Sequence, residues 1–355
     1  MNNELQQIAR QFPVVKDIQQ IKAFGSGHIN DTYLLHTSGK NFVLQRINHQ
    51  IFTNVEGLTD NILQITRFIN ENHDAQNIKL PGLFPTQNGK YLYKDTQNNY
   101  WRLMSFIEDS HSYDLVPKPD IAYEGGKAYG WFVKALSDFP AGQLTETIPH
   151  FHNIDFRLQN FKTALKNDKA QRAKNVQAEI NFIAKRSQEM HLILQLGQTR
   201  KIPIRVTHND TKINNVLFDA NDKAISVIDL DTVMPGYIHY DFGDAIRTFT
   251  NTANEDEPDL SKVNINMEYF KAFARGFLQE TKEVLRPEEI KHLAFSARLM
   301  TFIIGLRFLT DYLNGDTYFK TAYDQHNLVR TRAQFRLLES IEGHATEMQA
   351  FIEQL

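Results

Sequence analysis

The stretch VTHNDTKINNVLFD, residues 206–219, decides how this chain is read. An apolar strand runs into His208, and a polar loop then carries Asp210, Lys212, Asn214 and Asn215 before a second apolar strand begins. Further on, AISVIDLD, residues 224–231, drives an apolar run directly into Asp229 and Asp231. A carboxylate where an apolar strand ends is costly unless it is paired, hydrogen-bonded or bound to a cation. Two such strand ends converging place Asp210, Asn215 and Asp229 around one polar point. Oxygen-only ligands, a carboxylate with an amide, suit Mg²⁺, which keeps waters and takes the rest of its shell from substrate phosphates. Asp210 is then free to orient and deprotonate a hydroxyl.

Asp and Asn in short turns between strands are ordinarily turn formers. Two intervals argue for more here. Kinase catalytic loops carry an Asn five positions after the catalytic Asp and a magnesium-binding Asp on the following hairpin. Asn215 stands five after Asp210, and Asp229 nineteen after it, across one hairpin. Asp241-Phe242-Gly243, in HYDFGDAIR, spells the metal-binding triplet of protein kinases. It lies thirty-one residues after Asp210, beyond a Pro-Gly turn, so Asp229 takes the metal position instead. Asp241 is expected to cap a helix opening at Phe242 or to accept backbone N–H bonds from the catalytic loop.

Working outward, the first hundred residues read as strands around one helix. Strand-like runs cover 21–31, 32–37 and 42–48, with a further pair at 89–95 and 99–108. Val55, Leu58, Ile62, Ile65 and Ile69 repeat at helical spacing over about 54–71. After Glu108 a proline-bearing connector leads into helical patterns at 122–136, 154–165, 176–196, 267–278, 287–314 and 323–355. The expected organisation is a nucleotide-binding lobe over 1–108 and a helical catalytic and substrate lobe over 109–355.

Composition narrows the class. A net charge of -3 argues against a nucleic-acid partner. The absence of cysteine excludes disulfides, thiolate catalysis and Cys-ligated zinc. MNNELQQIARQF has no signal-peptide pattern, and the best apolar run, LMTFIIGL (299–306), falls short of the roughly 20 residues a membrane span needs. A cytoplasmic protein without a membrane partner is expected.

With these residues assigned, His208-Asn209-Asp210 with Asn215 and Ile228-Asp229-Leu230-Asp231 resemble the motifs of the aminoglycoside phosphotransferase and choline kinase superfamily. Within it the chain is most similar to the bacterial N-acetylhexosamine 1-kinases. That likeness rests on GHIND, LQRIN, LTETIPHFH, VTHNDTKINNVLFD, IDLDTVMPG, YDFGDAIR, LRFLTDYLNGDTYF and HNLVRTR, which run from about residue 21 to 335. The resemblance implies an α+β, bilobal, protein-kinase-like fold with a small β-rich N-lobe and a larger, mainly helical C-lobe. It implies transfer of the ATP γ-phosphate, with Mg²⁺, to the anomeric hydroxyl of GlcNAc or GalNAc. By position, Asp210 would be the catalytic base, Asn215 and Asp229 the magnesium ligands, and His208 a support for the loop. Gly25 and Gly27 would lie over the nucleotide phosphates, with His28 reaching the sugar. Ser105 and Ile107, in the connector SFIE, would offer backbone hydrogen bonds to adenine. Arg307, Tyr318 and Thr207 would contact the acetamido sugar.

One departure stands out. The lysine that kinases carry on their third strand is absent, and FVLQRIN offers Gln45 or Arg46 on opposite faces. Arg46 is favoured, because a guanidinium can pair with phosphate oxygens; Glu56 and Asp60 are its candidate helix partners. Arg307 interrupts an apolar helix stripe, so it meets either a ligand or Asp311 at i+4. His150 and His152 lack a third zinc ligand at useful spacing and read as structural. Two rivals remain. A kinase for a cationic or other small hydroxyl acceptor (choline, homoserine, an aminoglycoside) would need an acidic or aromatic pocket, and the one acidic cluster, NEDEPD (254–259), reads as a solvated loop. A catalytically inactive kinase-like binding protein is the other, against which the Asp-Asn-Asp set stands.

Overall fold

The computed structural model describes residues 2–25, 29–72 and 78–355; Gly27 and His28 lie outside the described residues. The polar N-terminal stretch forms a helix, α1 (Asn2–Ala9), whose Leu5, Ile8 and Ala9 share one side. That side, with Phe12 and Val15, packs on a six-stranded antiparallel sheet. Its strands are β1 (Ile18–Ala23), β2 (Asp31–Thr37), β3 (Phe42–Ile47), β4 (Leu83–Phe84), β5 (Tyr93–Lys94) and β6 (Tyr100–Ser105). The order is β1-β2-β3-β6-β4, with β5 also pairing β6. Strand alternation sorts the residues. Leu35, Phe42, Leu44, Trp101 and Leu103 pack under α1, whereas Ile47 and Tyr100 join the core of α2 (Val55–Asn72).

The rest is mainly helical: α3 (Pro119–Ala135), α4 (Ile154–Asn167), α5 (Gln177–Arg186), α6 (Leu192–Gln198), α7 (Ile238–Phe249), α8 (Met267–Thr281), α9 (Pro287–Lys291), α10 (Leu293–Asn314), α11 (His326–Gly343) and α12 (Ala345–Gln354). Three long expected helices are each divided. Residues 184–189 carry no buried apolar side chain, and the 176–196 pattern breaks there into α5 and α6. The 287–314 pattern breaks at His292. The last pattern starts only at His326, after Gln325 adopts a positive φ of 68°, and breaks after Gly343. Helix α10 is 22 residues long with mean hydropathy 1.5, enough by length and composition to cross a membrane. This corrects the expectation from its shorter apolar core. Since 78% of its most apolar window is buried, packing against the protein accounts for its composition.

Helices α3 and α8 touch backbone to backbone. A Cβ on Gly126 would sit 2.2 Å from the Phe273 carbonyl oxygen, and one on Gly276 2.2 Å from that of Tyr123. This seam seats Tyr129, whose hydroxyl donates to the Lys212 carbonyl at 2.8 Å. Two short antiparallel pairs complete the fold: β7 (Arg205–Thr207) with β10 (Met234–Gly236), and β8 (Val216–Phe218) with β9 (Ala224–Val227). The β8–β9 hairpin is flanked on both sides. Lys79 N–H donates to Ile225 O (2.9 Å) and Val227 N–H to Lys79 O (3.3 Å), while His111 and Phe218 exchange bonds of 3.0 and 2.8 Å.

Candidate active site

The loop after β7 is held by buried polar bonds from every side. Asp241, in the first turn of α7 and 2% exposed, accepts from the N–H groups of His208 (2.8 Å) and Asn209 (2.7 Å). Its own carbonyl accepts from Thr211 Oγ1 at 2.6 Å. The helix opens at Ile238, so Asp241 is a brace for the loop and not a cap at Phe242. Asn209, with a φ of 63°, donates to Thr207 Oγ1 (2.8 Å) and Thr232 O (2.9 Å). His208 Nδ1 accepts from Asp210 N–H at 3.3 Å, so Nε2 carries the proton and donates to Ile228 O at 2.9 Å. Burial pushes His208 below its ordinary pKa, in keeping with this neutral form.

Asp210, Asn215 and Asp229 come together at this loop. Asn215 Nδ2 donates to Asp210 O at 2.9 Å and to Oδ2 at 3.2 Å, leaving its amide oxygen as the end available to a cation. Ile228 N–H donates to Asn215 O at 2.9 Å, which ties the two ends of the β8–β9 hairpin and brings Asp229 alongside. Asp229 has a φ of 60°, a left-handed backbone that Asp tolerates better than most residues.

Charge at this point is unbalanced. Burial alone would raise the Asp210 carboxyl, but Lys212 Nζ at 2.8 Å, with His208, overturns this and holds it below the usual carboxylate range. Burial works against the Lys212 ammonium, and Asp210 more than offsets it, lifting its pKa. Asp229 has no ion pair among the described residues. Desolvation by the surrounding protein first, then the Asp231 and Asp210 carboxylates, raise its carboxyl above the ordinary range, against a smaller opposite pull from Lys212 and Arg102. Among the described residues no three His, Cys, Asp or Glu side chains form a metal cage. A solvent-accessible carboxylate with no ion pair among the described residues, beside an amide oxygen, nonetheless fits Mg²⁺, which keeps several waters.

The third strand departs from expectation. Arg46 lies on the α1 face with Phe42 and Leu44, not toward the metal loop. It is 43% exposed and donates from Nε to its register partner Asp31 at 2.7 Å. Gln45 takes the opposite face, donating to Thr32 Oγ1 at 2.9 Å and accepting from Arg102 Nε at 2.9 Å. Arg102 and Asp231, each 2% exposed, form an ion pair of 2.5 Å. A lone charge in the apolar run WRLMSFI was the sequence signal for Arg102, the same signal that singled out Arg307.

Other expected contacts divide. Gly25 has a φ of +80°, a left-handed backbone that favours glycine, and among the described residues an added Cβ there would meet nothing within 4 Å. Ser105 N–H is already donated to Gly82 O at 2.9 Å, so it is not free for adenine. The Ile107 carbonyl accepts from Ser110 Oγ at 2.6 Å. Thr207 is fully buried with its hydroxyl on Met234 O at 2.9 Å, which removes it from any sugar contact. His152 is structural: its Nε2 meets Asn209 O at 3.0 Å.

Arg307 and Tyr318 line a cavity of about 380 Å³ between α4 and α10, together with Arg157, Asn160 and Thr163. Arg307 does not pair with Asp311. That carboxylate accepts instead from the N–H groups of Thr317, Tyr318 and Phe319 at 2.8–2.9 Å, fixing the turn that carries Tyr318. The Arg307 guanidinium stacks 4.7 Å from the Phe151 ring and reaches Tyr318 Oη at 3.4 Å. Arg157, missed in the sequence, donates to Phe151 O at 2.9 and 2.6 Å. Burial, then Arg307, pushes Arg157 down to about 9. Neither guanidinium has an ion pair among the described residues. The acidic stretch 254–259 is not a free loop either: Glu255 bonds buried Arg247 at 2.7 Å and Asp256 meets His326 at 2.9 Å.

Comparison with known proteins agrees with this architecture. An aminopropanol kinase associated with a microcompartment superposes with a TM-score of 0.68 at 15% identity, over 98% of each chain. A choline kinase from Cryptosporidium parvum gives 0.61 at 16%, over 99% of this chain and 98% of the other. An aminoglycoside phosphotransferase from Alicyclobacillus acidocaldarius gives 0.62 at 12%, over 99% and 96%. These likenesses establish the protein-kinase-like fold. The sequence profile of the phosphotransferase enzyme family matches residues 20–287, a span holding the sheet, the catalytic loop and the β8–β9 hairpin, and the chain accordingly belongs to that family.

Proposed function

We propose that this phosphotransferase is a kinase that moves the ATP γ-phosphate to the anomeric hydroxyl of an N-acetylhexosamine, releasing ADP and the sugar 1-phosphate. Residues 1–108 serve as the nucleotide-binding lobe and 109–355 as the catalytic and substrate lobe. The observation that carries the choice of acceptor is the pair Arg157 and Arg307, two guanidiniums with no ion pair among the described residues, in a cavity linked to the catalytic loop whose lining carboxylate, Asp311, is taken up by the N–H groups of Thr317, Tyr318 and Phe319. The link to the loop is short: Arg307 stacks on Phe151, and neighbouring His152 bonds the Asn209 carbonyl. Choline, aminopropanol and aminoglycosides carry ammonium groups, which such a cavity repels. A neutral sugar with an acetamide carbonyl offers acceptors to both guanidiniums and to Tyr318.

Asp210, held ionised by Lys212, accepts a hydrogen bond from the sugar hydroxyl and aims its oxygen at the γ-phosphorus. As the new P–O bond forms and the bond to the bridging oxygen of ADP breaks, the hydroxyl proton passes to Asp210. The Lys212 ammonium, 2.8 Å from that carboxylate, lies close enough to meet oxygens of the transferring group. Asn215 and Asp229 would hold Mg²⁺, which when bound spreads the charge of the phosphates. Rate enhancement comes chiefly from positioning and fixed charge.

An acceptor screen with ATP and Mg²⁺, followed by identification of the phosphorylated position, tests the reading. GlcNAc and GalNAc should be turned over, with phosphate at C1, well above choline, homoserine and kanamycin. Turnover of an ammonium acceptor alone would replace it.

A further inference from the structure

A buried cation, Arg102, reaches the metal loop from β6, a strand of the sheet and not of the helical region. Two side chains meet it, and a third, Asn30, stands behind them. Gln45, its register partner on β3, accepts from Arg102 Nε and Nη2 through one amide oxygen. Asp231, two residues beyond Asp229, meets the same Nη2 of the guanidinium at 2.5 Å. Asn30, just before β2, donates from Nδ2 to the second Asp231 oxygen at 2.7 Å. Its own amide oxygen accepts from Asn48 N–H at 2.9 Å, which anchors the start of β2 to the end of β3. Among the described residues Arg102 Nη1 is buried without a hydrogen-bond partner.

A buried ion pair is weak support for stability, since removing two charges from water consumes most of what their attraction returns. Its better-attested use is to fix register between elements. Here it joins three: the sheet through Arg102, the start of β2 through Asn30, and the metal loop through Asp231. Arg46 cannot do this, because it points to the α1 face.

We propose that Arg102 and Asp231 form the joint that positions the nucleotide: Arg102 answers the Asp231 charge so that Asp231 can hold both the sheet and Asn30 against the metal loop. Arg102 is thus a positioning residue on the third strand's neighbour, standing in for the missing lysine. The inference rests on the kinase reading but not on the identity of the acceptor. An unpaired Asp231 carboxylate beside the nucleotide phosphates would repel them, whereas a neutral amide pair of similar reach keeps the joint without the charge.

Calorimetric titration of ADP with Mg²⁺ into the full chain tests this without any acceptor. R102Q should weaken ADP at least tenfold, and R102Q with D231N should return it to within threefold of wild type. R102Q within twofold of wild type overturns the proposal. So does a double variant that stays tenfold weak, since Arg102 would then be contacting phosphate itself. If R102Q fails to fold, a folded double variant that binds ADP supports the pairing, and an unfolded double variant overturns it. Wild type that binds no ADP would sink the kinase reading instead.

Discussion

At the scale of the residue, Asp210 and Lys212 each fix the other's charge across 2.8 Å. Asp210→Asn keeps the shape and removes the base, so kcat should fall about a thousandfold, within the usual range for general base catalysis. ADP affinity should stay within about threefold by calorimetry, because the nucleotide does not depend on that carboxylate for binding. Arg157→Gln should raise the KM for GlcNAc and narrow the preference for GlcNAc over glucosamine about tenfold, since one repulsive charge toward an ammonium is gone. Competition kinetics with the two sugars measures it. Asp210, Asn215 and Asp229 were legible in the sequence because their two intervals are set by one loop and one hairpin. Arg46 was misread because alternation says that Gln45 and Arg46 face apart, but not which face α1 covers. Arg102 and Arg157 carried the mark of a charge among apolar neighbours, and only the packing says what surrounds them.

At the scale of the element, the start of α7 is part of the catalytic loop's support. Asp241→Ala would leave the buried N–H groups of His208 and Asn209 unanswered, a loss of about 2–6 kcal/mol of stability at roughly 1–3 per group. Urea unfolding should show it, and kcat should fall as well although Asp241 touches no substrate. The brace was one of two roles open to Asp241 from its place in the chain; the helix start at Ile238 selects it. Helices as a class were legible from periodicity, and α2 nearly to the residue, with apolar positions on one stripe. Breaks within long helical patterns were not legible, because apolar spacing continues across a short irregular turn. Tyr318 sits in the stretch NGDTYF, residues 314–319. That Asp311 would knit it together with three backbone bonds was hidden behind the i+4 pairing with Arg307.

At the scale of the whole molecule, the order of a β-rich region, a connector and a helical region followed from the change in periodicity near residue 108. The short strand β4 escaped, since two residues carry no period, whereas β5 lies inside the expected run 89–95 and pairs β6. Acid stability is a property of the whole core. Burial pushes His239 down to about 3, so the unfolded chain takes up a proton below 6.5 that the folded chain refuses. Its contribution is full above pH 6.5 and is lost as pH falls, amounting to about 2 kcal/mol by pH 5. His239→Gln should therefore lose less stability between pH 7 and 5 than wild type, by about that amount in urea midpoints. Asp241, raised to about 7 by burial, runs the opposite way, so the difference between the two proteins is the quantity to measure. The bridges that flank the β8–β9 hairpin lead further. One comes from Lys79, between α2 and β4 of the sheet region, and one from His111 in the connector, so the hairpin flanked by Asn215 and Asp229 is stitched to both the sheet region and the connector. An amide in such a bridge trades its proton with solvent only when the stitch opens. Deuterium uptake at Lys79, His111, Phe218 and Val227 thus becomes a gauge of domain closure: nucleotide that draws the two regions together slows all four at once, and motion confined to the helices leaves them unchanged.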